Sequence, residues 1–179
     1  QRPGIESMIE TDLEIVAYLA RLAERYVPSI RYLGPRSMVS EFRKHIRREL
    51  DFNRERQNME RFASIMGDRR DLRVPATYPQ HSSRNLLIME YVDGTKVSSY
   101  LAAPEGSHKV HFDPKTVAYN GADLMLEQVL IHGFFHADPH PGNIMILPGN
   151  QICFLDFGLM GRLNEAEREH LSAAIAGVV

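Results

Sequence analysis

Four polar side chains in FFHADPHPGNIMI, residues 134 to 146, and an Asp-Phe-Gly at 156 to 158 carry the chemistry open to this chain. His136, Asp138 and His140 alternate, and on an extended strand alternation would aim all three at one metal ion. Pro139 and Pro141 argue against that arrangement. Each removes a backbone donor and fixes φ, which makes a rigid loop rather than a ladder strand or a helix with HxxxH ligand spacing. Neither an HExxH nor a second cysteine supports a transition-metal site. A solvated surface loop fits poorly too, because aliphatic runs flank the segment closely on both sides. Phosphoryl transfer uses these residue types in this order. One Asp orients or deprotonates the nucleophile, an Asn holds metal, and a second Asp holds Mg²⁺ against the phosphates.

The spacing supports that third reading. Asn143 lies five positions after Asp138, the offset between the same residues in the HRDLxxxN loop of protein kinases. From Asn143 the chain runs through IMIL, turns at Pro148-Gly149-Asn150 and returns through QICFL to Asp156. Such a hairpin sets Asn143 beside Asp156, and both are the hard oxygen donors that Mg²⁺ takes. A lone DFG is weakly specific. The Asp, the Asn, the hairpin and the DFG in this order are far more so.

HADPHPGN followed by LDFG resembles the UbiB/ADCK family of atypical protein-kinase-like proteins, in which HxDxxxxN stands where kinases have HRDxxxxN. The resemblance runs over nearly the whole chain. It implies ATP and Mg²⁺ as cofactors, Asp156 as principal metal ligand, Asn143 as the second, Asp138 as base or nucleophile-positioning group, and His136 as a support of the loop. ELDFNRE resembles the family's ExD motif followed by the αC glutamate, which assigns Glu49 and Asp51 to the ExD pair and Glu55 to the partner of the phosphate-binding lysine. Six apart on one helix, Glu49 and Glu55 would point to different faces. In LLIMEYV the resemblance makes Met89 the gatekeeper and sets backbone groups of Glu90, Tyr91 and Val92 against the adenine.

Gln1-Arg2-Pro3-Gly4 resembles the tail of the family's lysine strand, which would put the lysine just upstream and leave this stretch catalytically impaired. The family's KxGQ helix and Ala-rich nucleotide loop, which restrain ordinary protein phosphorylation, would also lie upstream. Implied for the parent protein is a kinase or ATPase supporting ubiquinone or other isoprenoid-lipid metabolism, with a lipid or quinone precursor as partner and membrane association through regions outside this chain. A nucleotide-sensing pseudokinase and a protein kinase are the alternatives. An aminoglycoside-type phosphotransferase shares the HxDxxxxN loop but does not as a rule carry ELDFNRE. Location would be cytoplasmic or membrane-associated in a bacterium and organellar in a eukaryote, and HADPHPGN looks more like bacterial and plastid members.

Composition agrees with a globular piece of such a protein. The chain has 179 residues, 44% hydrophobic, with a formal charge of −2, which is enough to bury a core and too acidic for a nucleic-acid reader. Its one cysteine, Cys153, sits in the apolar QICFL strand, which excludes a disulfide framework and reads as a core thiol. No run of 18 apolar residues occurs and no signal peptide opens the chain, so a soluble segment is expected.

The elements that must position the loop follow from periodicity. Ile5, Met8, Ile9, Leu13, Val16, Ala17, Ala20 and Ala23 recur at helical spacing and predict an amphipathic helix ending near Val27, before Pro28. The charged segment 35–68 carries Val39, Phe42, Ile46, Leu50, Met59 and Phe62 as its apolar positions, with i,i+4 ion pairs on its solvated face. Residues 72–92 read as two strands joined by a polar turn at His81 to Asn85, with LLIMEYV as a buried core strand and a turn following at Asp93-Gly94. LAAPEGSHKVHF is a loop. Asp113 as N-cap and Pro114 at the first position open a helix that Gly133 ends, and His132 reads as structural. Asn164 with Glu167 forms a capping box, so a helix starts soon after the DFG with no room for a long activation segment and no APE. The chain stops in that helix, which reads as a parent trimmed at both ends. The fold class expected is α+β and protein-kinase-like, with a partial N-lobe at 1–92 and a partial, mainly helical C-lobe at 93–179.

Overall fold

The computed structural model describes residues 1–102 and 111–177. The loop expected around residues 101–112 therefore lies largely outside the described residues.

Helix α1 spans Ile5–Tyr26 and α2 spans Pro35–Glu49, joined by a 3₁₀ turn at Pro28–Leu33, and the two pack against each other. The end of α1 falls where Pro28 predicts it, but the apolar stripe is wider than the seam it feeds. Leu13 and Ala20 are buried, whereas Met8 and Val16, expected on the inner face, are exposed, as is Phe42 of α2 at 54%. A helix lying against one neighbour can bury only a narrow row of side chains, so the flanks of the stripe stay in water.

Helix α3, Phe52–Met66, supplies the core. Asp51 caps it, accepting a hydrogen bond from Asn53 N at 3.1 Å, and its inner face buries Met59, Phe62 and Met66. Phe62 meets Phe154 edge-on at 6.0 Å and Phe157 at 5.4 Å between ring centroids. Arg69, just past α3, pairs with Asp71 at 2.6 Å, with Asp123 at 2.9 Å and with Glu127, which ties the end of α3 to the helical segment that follows Pro114.

One sheet has the order β1-β5-β4-β2, with β1 at Leu72–Arg73, β2 at Thr95–Lys96, β4 at Ile144–Leu147 and β5 at Gln151–Phe154. Its centre is the expected hairpin: β4 and β5 are antiparallel with Ile144 opposite Phe154 and Leu147 opposite Gln151. Gly149 and Asn150 turn the chain with φ of 78° and 62°. β1 adds to β5 in parallel, Leu72 opposite Ile152, so segments on both sides of residue 92 feed one sheet. Cys153 is buried in β5, and burial pushes its thiol up to about 12, as an inert core thiol requires.

LLIMEYV departs from its expectation. No continuous strand forms there; isolated bridges join Ser83 to Leu86 and Thr77 to Met89, with Tyr78 N donating to Ile88 O at 3.0 Å and Glu90 N to Ala76 O at 2.7 Å. The two remaining ladder donors are taken by side chains, Ala76 N by the Glu90 carboxylate at 3.1 Å and Ile88 N by Ser82 Oγ at 3.0 Å, so the pairing goes no further. Leu87 and Met89 pack on the core while Leu86 and Ile88 face out, so the run is buried on one side only.

Helix α4 covers Val97–Ala102 and α5 covers Pro114–Leu126, continued by a π turn at Glu127–His132. Asp113 caps α5 by accepting from Lys115 N and Thr116 N, both at 3.2 Å. Gly133 ends it at φ 58°, where a Cβ would lie 2.6 Å from Leu163 O. β3, Phe134–His136, pairs antiparallel with β6, Met160–Arg162, and α6 begins at Glu165 behind the expected capping box of Asn164 and Glu167.

Candidate active site

Two antiparallel pairs, β3 with β6 and β4 with β5, bracket the loop 137–143 and fix both of its ends. Inside the loop, His140 N donates to Asp138 O at 2.7 Å, Asn143 N to His140 O at 2.8 Å and Gly142 N to His140 Nδ1 at 3.0 Å. These short-range bonds replace the donors that Pro139 and Pro141 lack, and they hold a compact turn rather than a strand. Leu155 N donates to Asn143 O at 2.9 Å. Asn143 and Asp156 thus stand at the same end of the hairpin. Asp138 and Asp156 are exposed, Asn143 is half-buried, and Asp156 Oδ1 accepts from Gly158 N at 2.8 Å.

His136 joins the loop to the DFG segment. Its ring is 2% exposed and lies between Phe154 at 4.9 Å and Phe157 at 5.8 Å. Asp138 N donates to its Nδ1 at 3.2 Å, which places the ring proton on Nε2, and Nε2 donates to Asp156 O at 2.5 Å. Both ring nitrogens are engaged, so neither is free to ligate a metal. Burial lowers its pKa, outweighing Asp156 and Asp138, whose charges act the other way. A neutral imidazole is what this two-ended bond needs.

Gln128 is a site residue that sequence reasoning passed over. It sits fully buried in the π turn, and its Oε1 accepts from His136 N at 2.9 Å. The extra residue of a π turn rotates the next side chains, a device frequent at functional sites. A glutamine within the apolar run LMLEQVLIHGFF was the available signal. His132, as expected, is structural, with Nε2 3.1 Å from Glu127 Oε1.

The acidic residues converge in a way their spacing did not foretell. Glu49 closes α2, the chain bends at Leu50 and Asp51, and Glu55 lies in the first turn of the separate helix α3. The expectation that one helix directs Glu49 and Glu55 to different faces is therefore wrong, because the break between helices reorients them. Phe157 N donates to Glu55 Oε1 at 3.3 Å, Asn58 Nδ2 donates to Phe157 O at 2.8 Å, and Glu49 Oε2 would lie 3.6 Å from a Cβ on Gly158. Burial, then the charges of Asp156 and Glu49, push Glu55 up to about 6 against the opposing hydrogen bond from Phe157. Asp51 serves as the α3 cap.

Along the run 89–92, Met89 packs on the core and Glu90 is tied back, its carboxylate accepting from Ala76 N at 3.1 Å and meeting Arg73 at 2.5 Å. Tyr91 is 88% exposed. Among the described residues no hydrogen bond uses the Glu90 carbonyl or the Val92 N–H, which leaves both backbone groups open.

The whole chain, residues 1–179, matches the ABC1 atypical kinase-like domain. The chain belongs to that family. It is 37% identical over 168 residues to the chloroplastic Protein ACTIVITY OF BC1 COMPLEX KINASE 3 of Arabidopsis thaliana, covering 94% of this chain and 23% of that protein. It is 33% identical over 180 residues to the probable protein kinase UbiB of Aliivibrio fischeri strain MJ11, covering 98% of this chain and 32% of that protein. The ABC1 domain here thus spans between about a quarter and a third of the curated relatives it matches. Among solved structures, the complex of Rv3197 with erythromycin from Mycobacterium tuberculosis superposes with a TM-score of 0.72 at 23% identity, covering 90% of this chain and 39% of that one. The fold is kinase-like, a mixed helix-and-strand part of a larger domain. Named relatives of the family are chloroplastic and bacterial, and among the described residues no helix is long and apolar enough to cross a membrane.

Proposed function

We propose that this ABC1 domain supplies the Mg-nucleotide and catalytic-loop part of an atypical kinase or ATPase that serves ubiquinone or other isoprenoid-lipid metabolism. The observation that carries the reading is the convergence of Asp138, Asn143 and Asp156 on one end of a rigid hairpin, with His136 linking loop to DFG. Asp156 and Asn143 would hold Mg²⁺, Asp138 would position or deprotonate the acceptor hydroxyl, and Glu90 O and Val92 N are open for the adenine edge. Among the described residues no group of three His, Cys, Asp or Glu is arranged to hold a metal by itself. That fits Mg²⁺, which takes one or two protein oxygens and completes its shell from phosphates and water. The fit also has an electrostatic side: the charge of Asp156 raises the cost of ionising Glu55, and a cation at Asp156 would relieve it. Bound Mg²⁺ would neutralise charge on the transferring phosphoryl group.

A small-molecule or lipid acceptor is favoured over a peptide. β6 follows the DFG directly and α6 starts at Glu165, leaving no extended platform between them. The test is Mg-ATP binding by calorimetry on the full-length protein. Asp156→Asn should weaken Mg-ATP by about tenfold or more while the melting midpoint stays near that of the parent. Unchanged Mg-ATP affinity in that variant would remove the metal assignment.

A further inference from the structure

Beside Gly158 lies a cleft of about 300 Å³, lined by His45, Arg48 and Glu49 at the end of α2, Arg54 and Asn58 at the start of α3, and Arg162 of β6. Its charge is unbalanced. Three guanidiniums and an imidazole face one carboxylate. Elsewhere the arginines near this site are engaged: Arg47 with Glu10 at 2.7 Å, Arg56 with Glu60 at 2.7 Å, Arg73 with Glu90 at 2.5 Å. Among the described residues the Arg48 and Arg54 side chains make no ion pair or hydrogen bond, and Arg162 rests its guanidinium over the Phe134 ring at 5.4 Å with its N–H groups unused. Glu49 in the cleft and Glu41 near His45 and Arg48 offset part of this charge, but the guanidiniums of Arg48 and Arg54 are held by neither and keep their N–H groups for an oxyanion. Arg forks match phosphate oxygens in pairs, and Asn58 fixes the Phe157 carbonyl at the inner wall.

We infer that this cleft is an anion subsite for a phosphate- or diphosphate-bearing acceptor, resting on the proposed phosphoryl-transfer reading of the neighbouring site. One glycine separates it from Asp156, whose Oδ1 accepts the Gly158 N–H at 2.8 Å, so the anionic end of an acceptor is anchored next to the DFG segment. Glu49 gives the cleft polarity. Its carboxylate lies on the Gly158 wall, which leaves the basic groups to receive the anion.

Inorganic pyrophosphate in metal-free buffer is the probe, titrated calorimetrically into the full-length protein. The wild-type protein should bind it, and the double variant Arg48→Gln/Arg54→Gln should bind it at least about tenfold more weakly. Glu49→Gln should bind it more tightly, because a repelling charge is gone. Saturating ADP should leave pyrophosphate binding in place; displacement by ADP would assign the phosphate chemistry to the nucleotide and overturn the acceptor subsite. Absence of pyrophosphate binding to the wild-type protein, or equal affinity in the double variant, overturns it as well. Mg-ATP titrated into the same preparations separates the two proposals. Intact Mg-ATP binding with wild-type pyrophosphate affinity in the double variant removes the subsite alone, whereas loss of Mg-ATP binding in the wild-type protein removes the catalytic reading.

Discussion

The block formed by α3, the two hairpins and the π turn differs in kind from the α1–α2 pair. In the block, aromatic rings and methionines are fully buried and nearly every polar group near the loop has a named partner, from Gln128 to His136 to Asp156. In the α1–α2 pair only Leu13 and Ala20 are buried, large apolar side chains such as Tyr18 and Leu19 face water, and the polar contacts are surface ion pairs. Positional precision is concentrated where the candidate chemistry is, and the helical pair is held by a narrow seam. The two regions should therefore answer the same substitution very differently. Phe62→Ala empties the centre of the core and should cost about 3–5 kcal/mol. Phe42→Ala, on the exposed flank of α2, should stay within about 0.5 kcal/mol. Urea unfolding of both variants measures the contrast, and equal losses would mean that α1 and α2 share the core.

Within the block, the π turn is the sharpest point to probe. Gln128→Leu keeps the volume but leaves the His136 N–H buried without an acceptor, a loss of about 1–3 kcal/mol. Amide exchange at His136 and Asp138 should quicken in this variant while exchange in α6 is unchanged. A uniform rise across the chain would show that Gln128 supports the whole fold and not the loop.

Much of the block was legible in sequence because its signals are local. Asp113 and Pro114, the Asn164–Glu167 box, the Pro148-Gly149-Asn150 turn and the Asp138–Asn143 offset each act within a few residues, and each element formed where they placed it. What stayed hidden depended on distant partners. LLIMEYV has the composition of a core strand, but the Glu90 and Ser82 side chains take the backbone donors a ladder would need, and composition does not report such captures. The α1 stripe gave the helix and not the width of its neighbour. Glu49 and Glu55 could be assigned from resemblance, yet their approach to Gly158 and Phe157 depends on a break between helices that spacing along one helix cannot express. Gln128 looked like one polar interruption of an apolar run.

The two regions also differ electrostatically, through one carboxylate in each. Burial and Asp156 raise Glu55 from its ordinary value of 4.5 to about 6. The folded state therefore favours the protonated acid, so its contribution is fully present below pH 4.5 and is lost as pH rises through about 6. The loss amounts to about 1 kcal/mol once solvent screening is allowed for. Glu55→Gln should abolish that part of the slope, so the stability difference between variant and parent should grow from pH 4.5 to pH 7 in favour of the variant. A difference that is flat with pH would show that Glu55 ionises as it does in water.

In the helical pair the sign reverses and the effect shrinks. A hydrogen bond from Arg47 Nε at 2.7 Å, with the charges of Arg47 and Arg43, lowers the Glu10 pKa. A depressed carboxylate stabilises above its ordinary pKa and loses that contribution as pH falls through the folded value. Arg47 and Glu10 are both solvent-accessible, however, so water and salt screen the pair and its two long side chains lose entropy in meeting. Arg47→Ala should move the thermal midpoint at neutral pH by no more than about 2 °C. That small shift should shrink further in 0.5 M salt, since about 4 Å of screening length remains there. A larger shift that survives salt would mean that the Arg47 stem packs between the helices, which would give the pair a second seam and narrow its difference from the core block.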